Sequence, residues 1–552
     1  MCAIFSILNC DKRVDKDTLD ECFYMSKSRG PEFSILKNYN DMNITLGFHR
    51  LAINGLNEKS NQPIKTKECI LICNGEIYNY NNLYKNFNKS DIITSSDCEV
   101  IIHMYRKYGI EYTLENLDGV FAFVLIDLQT NLCFVARDPY GVRPLFEFSS
   151  TIKNGNKILG FSSELKQLSK IYNKCLLDSE CKETIIKQFN PGHFYKLEYN
   201  NNSKSFSIIY KQKYFSYTVI NLNNIDYLEY IRIFFMNAVK KRIIGTTERP
   251  IACLLSGGLD SSLVTSLVNK FVDKLETYSI GLEGSVDLKY AKKVAKYLNT
   301  NHKSIVLSED EFFNAIPEVI KNIESYDTTT VRASVGNYLV AKYISENSKA
   351  KVVFNGDGSD ELTGGYLYFD AAKDSTDFDI ECKRLLKDIH YFDVLRSDRS
   401  ISTNGLEPRT PFLDREWTQL YLSLPKHIRY HKGAKKPEKY LLREAFKGYL
   451  PDEVLYRTKE AFSDGVSSET RSWYEIINEK IKLLYKDVDT DKLLKSYKNS
   501  YNKPKTLEQL YYRQIYDKYY PNTSCCIPYY WMPRFVEATD SSARTLKIYK
   551  KL

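Results

Sequence analysis

A chain of 552 residues exceeds what one hydrophobic core organises, so two or more domains are expected. With 78 Lys and Arg against 69 Asp and Glu the net charge is only +9, and no long basic tract occurs, which argues against nucleic acid as a partner. No apolar run reaches the roughly 18 residues of a membrane span and no signal-peptide pattern opens the chain, while thirteen cysteines without metal-ligand spacing predict reduced thiols, no zinc site and a cytoplasmic protein.

The chain opens with "MCAIF". A cysteine directly after the initiator Met, once exposed, carries its own α-amine as a general base, because that group's pKa is about 8. The same "CAIFSIL" also reads as the opening strand of a buried sheet. Further short β-type runs follow to about residue 205: "ITLGFHRLAI", "ECILICNGEIYN", "KILGFSSE" and "GHFYKLEYN". "FAFVLIDLQTNLCFVARD" predicts a hairpin turning at Asp127–Asn131, and "DTLDECFYMSKS" and "CEVIIHMYRKYGI" predict covering helices. Polar, Asn-rich residues predict a linker over 206–225 that separates residues 2–205 from 226–552. Beyond it, amphipathic helices such as "YLEYIRIFFMNAVKKRI" alternate with the strands "PIACLL", "LETYSIGL" and "AKVVFNG", the pattern of a parallel α/β sheet. The stretch from about 430 to the end reads as helical. Cys525–Cys526 is a vicinal pair with no evident role.

Two loops carry the chemistry of this second half. "LLSGGLDSS" (Leu254–Ser262) lies between a strand and a helix, so its backbone N–H groups and the helix dipole converge on an anion, predicted to be a phosphate. Walker A it is not, since an Asp stands where that loop has its Lys. Asp260 beside a phosphate makes sense as a ligand of Mg²⁺. "NGDGSDELTGGY" (Asn355–Tyr366) follows a strand in the same way and sets Asp357 and Asp360 among glycines at a parallel strand's carboxyl end, where such sheets bind ligands. A solvated acidic turn is the simpler alternative for this second loop.

"SGGLDSS" resembles the pyrophosphate loop of ATP pyrophosphatases. With "SIGLEGSVDLKYAKKVAKYL", "IESYDTTTVRAS", "NGDGSDELTGGYLYF", "LEPRTPFLD" and "RTKEAFSDGV", the second half resembles the synthetase half of the glutamine-hydrolysing asparagine synthetases. Cys2, "HRLAI", "NGEIYN", "SSDCEV" and "RDPYGVRPLF" resemble the N-terminal half of the same family, a pattern shared by class II glutamine amidotransferases.

The resemblance implies two folds: an N-terminal-nucleophile hydrolase sandwich of αββα layers, and an α/β ATP-pyrophosphatase domain with a parallel sheet. It implies that Cys2, freed of Met1, attacks glutamine, that Asn74 and Gly75 form the oxyanion hole, and that Arg50 holds the α-carboxylate while Glu76 and Asp97 hold the α-amine. ATP would be bound by Leu255, Ser256, Gly257, Gly258, Asp260, Ser261, Ile280, Asn355 and Gly356. Asp260 and Asp360 would hold Mg²⁺, Lys459 would neutralise departing pyrophosphate, Asp357 would assist catalysis, and Arg143 would border the passage of ammonia.

The implied reaction makes asparagine from aspartate, glutamine and ATP through β-aspartyl-AMP, releasing AMP and pyrophosphate, and is compatible with a homodimer. Family members usually read "SGEGSDE" where this chain has "NGDGSDE", which puts the function of Asp357 in question. An amidating enzyme with another carboxylate acceptor, a ring-closing relative, or a metabolite-binding regulator on an inactive scaffold are the rival readings; intact Cys2, Arg50, Asp260 and Lys459 argue against the last.

Overall fold

The computed structural model describes all residues except 12, 154, 219, 221, 223, 224, 247, 434 and 547–552. Its N-terminal half contains strands β1 Ala3–Leu8, β2 Phe33–Tyr39, β3 Ile44–Arg50, β4 Ile64–Lys65, β5 Cys69–Ile77, β6 Gly119–Asp127, β7 Leu132–Arg137, β8 Phe146–Ile152, β9 Lys157–Ser162, β10 Cys181–Gln188, β11 His193–Asn200 and β12 Ser205–Lys213. They form two antiparallel sheets, ordered β10-β8-β9-β1-β3-β2 and β12-β11-β7-β6-β5-β4.

Ile4, Leu8, Leu46 and Phe48 of the first sheet meet Ile70, Ile72, Ala122 and Val124 of the second, forming the interior of a sandwich. Both faces of β1 are buried, because Phe5 and Ile7 point the other way onto the helices Lys16–Tyr24 and Lys166–Leu176. That explains its nearly unbroken apolar sequence, interrupted only by the buried Ser6. The helices Val100–Tyr108 and Ile110–Asn116 cover the second sheet through Ile101, Met104 and Leu114. The layers are therefore αββα, as expected, and the predicted hairpin is β6–β7.

The C-terminal half is built on five parallel strands, β13 Ile251–Leu254, β14 Glu276–Leu282, β15 Asn301–Leu307, β16 Val352–Phe354 and β17 Glu407–Arg409, ordered β15-β14-β13-β16-β17. Strand order reverses between β13 and β16. In open parallel sheets the crevice at such a switch point is where ligands bind, and both acidic loops emerge there.

Two expectations need correction. Residues 206–213 of the expected linker belong to β12, the edge strand of the second sheet, whose "SFSIIYKQK" alternates partly buried and exposed positions. Polar, Lys-bearing sequence protects a sheet edge from unwanted pairing and so reads like a linker. Residues 219, 221, 223 and 224 of that linker lie outside the described set. The C-terminal stretch is helical only as far as Tyr519; after it, short 3₁₀ turns and extended chain run through the proline-containing "IPYYWMPRF".

Candidate active sites

Cys2 enters the first sheet beside β3, where Ala3 pairs with His49, and its Sγ donates to the Leu51 carbonyl over 3.6 Å. With Met1 in the chain, that residue is fully buried, its amine donating to Leu406 O at 3.3 Å. The nitrogen of Cys2 is thus an amide rather than a base, and burial pushes the thiol up to about 11. Such a thiol is not a nucleophile at neutral pH.

On the facing sheet, β5 carries Asn74, Gly75 and Glu76. Asn74 is wholly buried, and neither its Oδ1 nor its Nδ2 has a partner. An unsatisfied buried polar group costs about 1–3 kcal/mol, so this carboxamide is best explained by a ligand. At Gly75 a β-carbon would lie 2.6 Å from the Val120 carbonyl, so no side chain fits there.

Glu76 and Asp97 are both buried carboxylates. Burial, opposed in part by the Ile77 N–H that donates to Asp97 Oδ2 at 2.7 Å, sets Asp97 at about 6. Burial and the neighbouring Asp97 charge push Glu76 well above the usual carboxylate range. An ammonium group between them would relieve both. We therefore expect kcat/KM for glutamine to fall as pH drops through about 6, where Asp97 gains a proton. A glutaminase pH profile flat across that range would remove Asp97 from the substrate site.

Arg50 donates from Nη1 to Asn57 O (3.1 Å) and Asn61 Oδ1 (2.7 Å), and from Nη2 to Asn54 O (3.2 Å) and Gly55 O. It is committed to the 54–61 loop. These four bonds use Nη1 and Nη2 alone, so a substrate carboxylate would meet Nε or displace one of these acceptors, of which Asn61 is the one side chain.

Charged residues line the seam toward the second half. Glu407 accepts from Arg409 Nε at 2.7 Å and lies 3.2 Å from Arg143 Nη2, while Arg409 Nη2 is 3.5 Å from Glu76. The Arg143 guanidinium is buried with no hydrogen-bond partner, its charge balanced by Glu407. Arg29 holds the Cys2 carbonyl through Nε at 3.1 Å and grips Asp398 with both Nη atoms at 2.7 and 3.1 Å. Asp398 lies on the helix Asp393–Ser402, which also presents Ser397 to Asn355 and Arg396 to Asp357. One helix therefore touches both sites.

At the switch point of the parallel sheet, the two acidic loops meet. A β-carbon on Gly356 would be 2.8 Å from the β-carbon of Asp260, so glycine permits the approach, and Ser359 donates to Asp260 Oδ1 at 2.7 Å. Leu255, Ser256, Gly258, Asp260, Ser261, Ile280, Asn355, Gly356, Asp357, Asp360 and Lys459 all line one pocket. Gly257 does not. Its φ of +76° and the 2.4 Å from its would-be β-carbon to Ala291 N place it against the helix Val286–Leu298, where it shapes the turn.

Lys459 Nζ lies 2.6 Å from Asp360 and 3.8 Å from Asp260. A second lysine, absent from the sequence reading, bridges the same carboxylates: Lys439 Nζ is 2.6 Å from Asp260 Oδ2 and 2.5 Å from Asp360 Oδ1. Its ammonium sits between two carboxylates, a position that suits a cation. No group of three or more His, Cys, Asp or Glu that could hold a metal occurs among the described residues. A pair of carboxylates does match Mg²⁺, which commonly takes one or two carboxylates and completes its shell with substrate phosphates and water.

The lysine loop is braced by the C-terminal segment. Arg544 pairs with Glu460 at 2.5 Å, Ser542 donates to Asp464 at 2.8 Å, and Asp540 holds Arg332 of the pocket-lining helix Thr328–Asn347 at 2.7 Å. Arg544→Ala should therefore raise the KM for ATP several-fold and leave glutamine hydrolysis unchanged. Equal loss of both activities would mean a general folding defect instead.

The comparisons with known proteins agree with this geometry. A glutamine amidotransferase domain model matches residues 1–210, and an asparagine synthase model matches residues 231–380 and 371–524. The chain is 42% identical over 582 residues to the glutamine-hydrolysing asparagine synthetase of Gallus gallus and 40% identical over 583 residues to that of Homo sapiens. Each alignment covers 100% of this chain and 99% of the relative. The chain belongs to the glutamine-hydrolysing asparagine synthetase family.

Proposed function

We propose a division of labour between the two sites. In the N-terminal half, Cys2 attacks the amide carbon of glutamine, its thiol proton passing to its own α-amine, and ammonia leaves as the thioester forms. Asn74 Nδ2 and the Gly75 N–H stabilise the oxyanion, Arg50 takes the α-carboxylate, and Glu76 and Asp97 take the α-ammonium. A free amino acid needs both kinds of anchor, and Arg suits a carboxylate bidentately.

In the C-terminal half, the 254–261 loop and the Asn355–Gly356 backbone cradle ATP, and the side-chain carboxylate of aspartate attacks the α-phosphorus to give β-aspartyl-AMP. Asp260 and Asp360 would hold Mg²⁺, which would supply positive charge to offset that of the phosphates. Lys459 and Lys439, freed from those carboxylates, then face the departing pyrophosphate. Arg396, a buried lining residue that already holds Asp357 and Asp393 through Nη2 and Nε, would receive the α-carboxylate of aspartate on its remaining Nη1. We place the reaction in the cytoplasm, because all thirteen cysteines are free thiols.

The observation that carries this reading is the convergence of Asp260, Asp360 and Lys459 at the switch point of the same chain whose β1 delivers Cys2. The deciding experiment supplies amide-¹⁵N glutamine, aspartate and Mg-ATP. Labelled asparagine is expected, and its absence would refute the assignment. Asp260→Asn tests the metal site: ATP turnover should fall and require more Mg²⁺, with glutaminase activity spared. Unchanged Mg²⁺ dependence in that variant would remove Asp260 from the metal.

A further inference from the structure

Cys525 and Cys526 take no part in either site. They lie on a 3₁₀ turn, Ser524–Cys526, that docks on β10, the edge strand of the first sheet. Both thiols point at one main-chain oxygen: Cys525 Sγ is 3.9 Å and Cys526 Sγ 3.8 Å from the Ile186 carbonyl. Cys525 is exposed and Cys526 is buried. The adjoining Cys526 thiol, helped by the local backbone and to a smaller extent by Arg513, draws Cys525 down to about 7 against the partial burial that opposes it. An accessible thiol ionised near neutrality beside a second thiol is the arrangement of peroxide-sensitive cysteines.

We infer that Cys525 and Cys526 form a redox-active dithiol that a hydroperoxide converts to a vicinal disulfide. The Cys525 thiolate attacks the outer oxygen of the hydroperoxide, the O–O bond breaks, and the alcohol or water leaves with a solvent proton, giving a sulfenic acid on Cys525. The Cys526 sulfur then attacks the sulfenic sulfur. The S–S bond forms, the S–O bond breaks, and hydroxide leaves with the Cys526 proton as water. Two thiols lose two electrons and the hydroperoxide gains them.

Closing an S–S bond of about 2.05 Å draws both sulfurs away from Ile186 and reshapes the turn. That turn is tied to the nucleotide pocket. Ser524 O accepts from Tyr326 Oη at 2.8 Å, and the adjacent Asp327 caps the helix Thr328–Asn347 by accepting from Thr330 N at 2.9 Å. Thr329, Ala333 and Asn337 of that helix line the pocket. Oxidation should therefore slow asparagine synthesis.

The test treats reduced full-length protein with hydrogen peroxide, alkylates it, and maps its peptides without reduction. The peptide carrying Cys525 and Cys526 should be lighter by two hydrogens, unalkylated, and restored by dithiothreitol. Ammonia-dependent synthesis, which does not use Cys2, should fall several-fold and recover on reduction. Cys526→Ser should accumulate a dimedone-reactive sulfenic acid on Cys525, and Cys525→Ser should leave Cys526 unoxidised at the same dose. A free Cys526 beside a sulfinic Cys525, a disulfide linking two chains, or unaltered thiols would each overturn the proposal. A vicinal disulfide that leaves synthesis unchanged would overturn its link to the pocket.

Discussion

Replacing Cys2 by Ala should abolish synthesis from glutamine while synthesis from ammonia continues at the parent rate. Removing the nucleophile of an acyl-transfer enzyme costs on the order of 10⁶ in rate, so residual glutaminase activity should be undetectable. The pocket of the second half is a separate assembly on β13 and β16, and among the described residues none of the N-terminal half lines it. Retaining Met1, or adding a tag ahead of Cys2, should have the same effect. With Met1 in place the general base is an amide nitrogen and burial holds the thiol at about 11. Active protein must therefore show an intact mass for a chain that starts at Cys2. Loss of both activities in folded Cys2→Ala protein would sink the separation of the sites. The fully buried Arg29 offers one route for such a loss, because it grips the Cys2 carbonyl and the Asp398 carboxylate together.

Both loops of the synthetase pocket were legible because each combines glycines and acids between a strand and a helix, a pattern with few other uses. The short β-type runs predicted sheets with covering helices, and the αββα layering itself was what the family resemblance implied; β12 was lost because an edge strand is chemically similar to a linker. Lys439 could not be read. It is one of 78 basic residues, its local sequence "KKPEKYLL" is unremarkable, and it matters only because a left-handed backbone (φ 58°) turns it toward Asp260 and Asp360. Arg396, Asp398 and the bracing segment 540–544 were invisible for the same reason. Their roles lie in contacts with residues at least 39 positions away, as in the Arg396–Asp357 pair, and no local spacing encodes such contacts. Asn74 and Gly75 were assigned by resemblance alone; the structure adds that the Asn74 carboxamide is buried without a partner and that Gly75 leaves no space for a side chain.

Asp357→Ala should lose asparagine synthesis and keep glutamine hydrolysis, but the reason must be separated from damage to the pocket. Asp357 Oδ1 accepts from Arg396 Nη2 at 2.7 Å, and this pair is partly buried, so deleting one partner costs less than the about 3–5 kcal/mol of a fully buried pair. Arg396 keeps Asp393 as a second acceptor at 3.2 Å, which softens that loss. The other carboxylate oxygen, Oδ2, is buried in the same pocket without a partner. We expect this oxygen to act, either in adenylate formation or by accepting a proton from the attacking ammonia. Asp357→Asn is the discriminating variant, since its amide oxygen can still accept from Arg396 while an NH₂ group, unable to take a proton, replaces Oδ2. Loss of a general base typically costs 10²–10⁴ in rate, so Asp357→Asn should fall by roughly 10² or more with little change in Tm. Asp357→Glu should retain synthesis, because the carboxylate survives. If Asp357 only shapes its turn, Asp357→Asn will synthesise asparagine almost normally, since Asn is equally good in turns. The rate of that one variant, measured with ammonia so that Cys2 plays no part, decides between proton transfer and loop geometry.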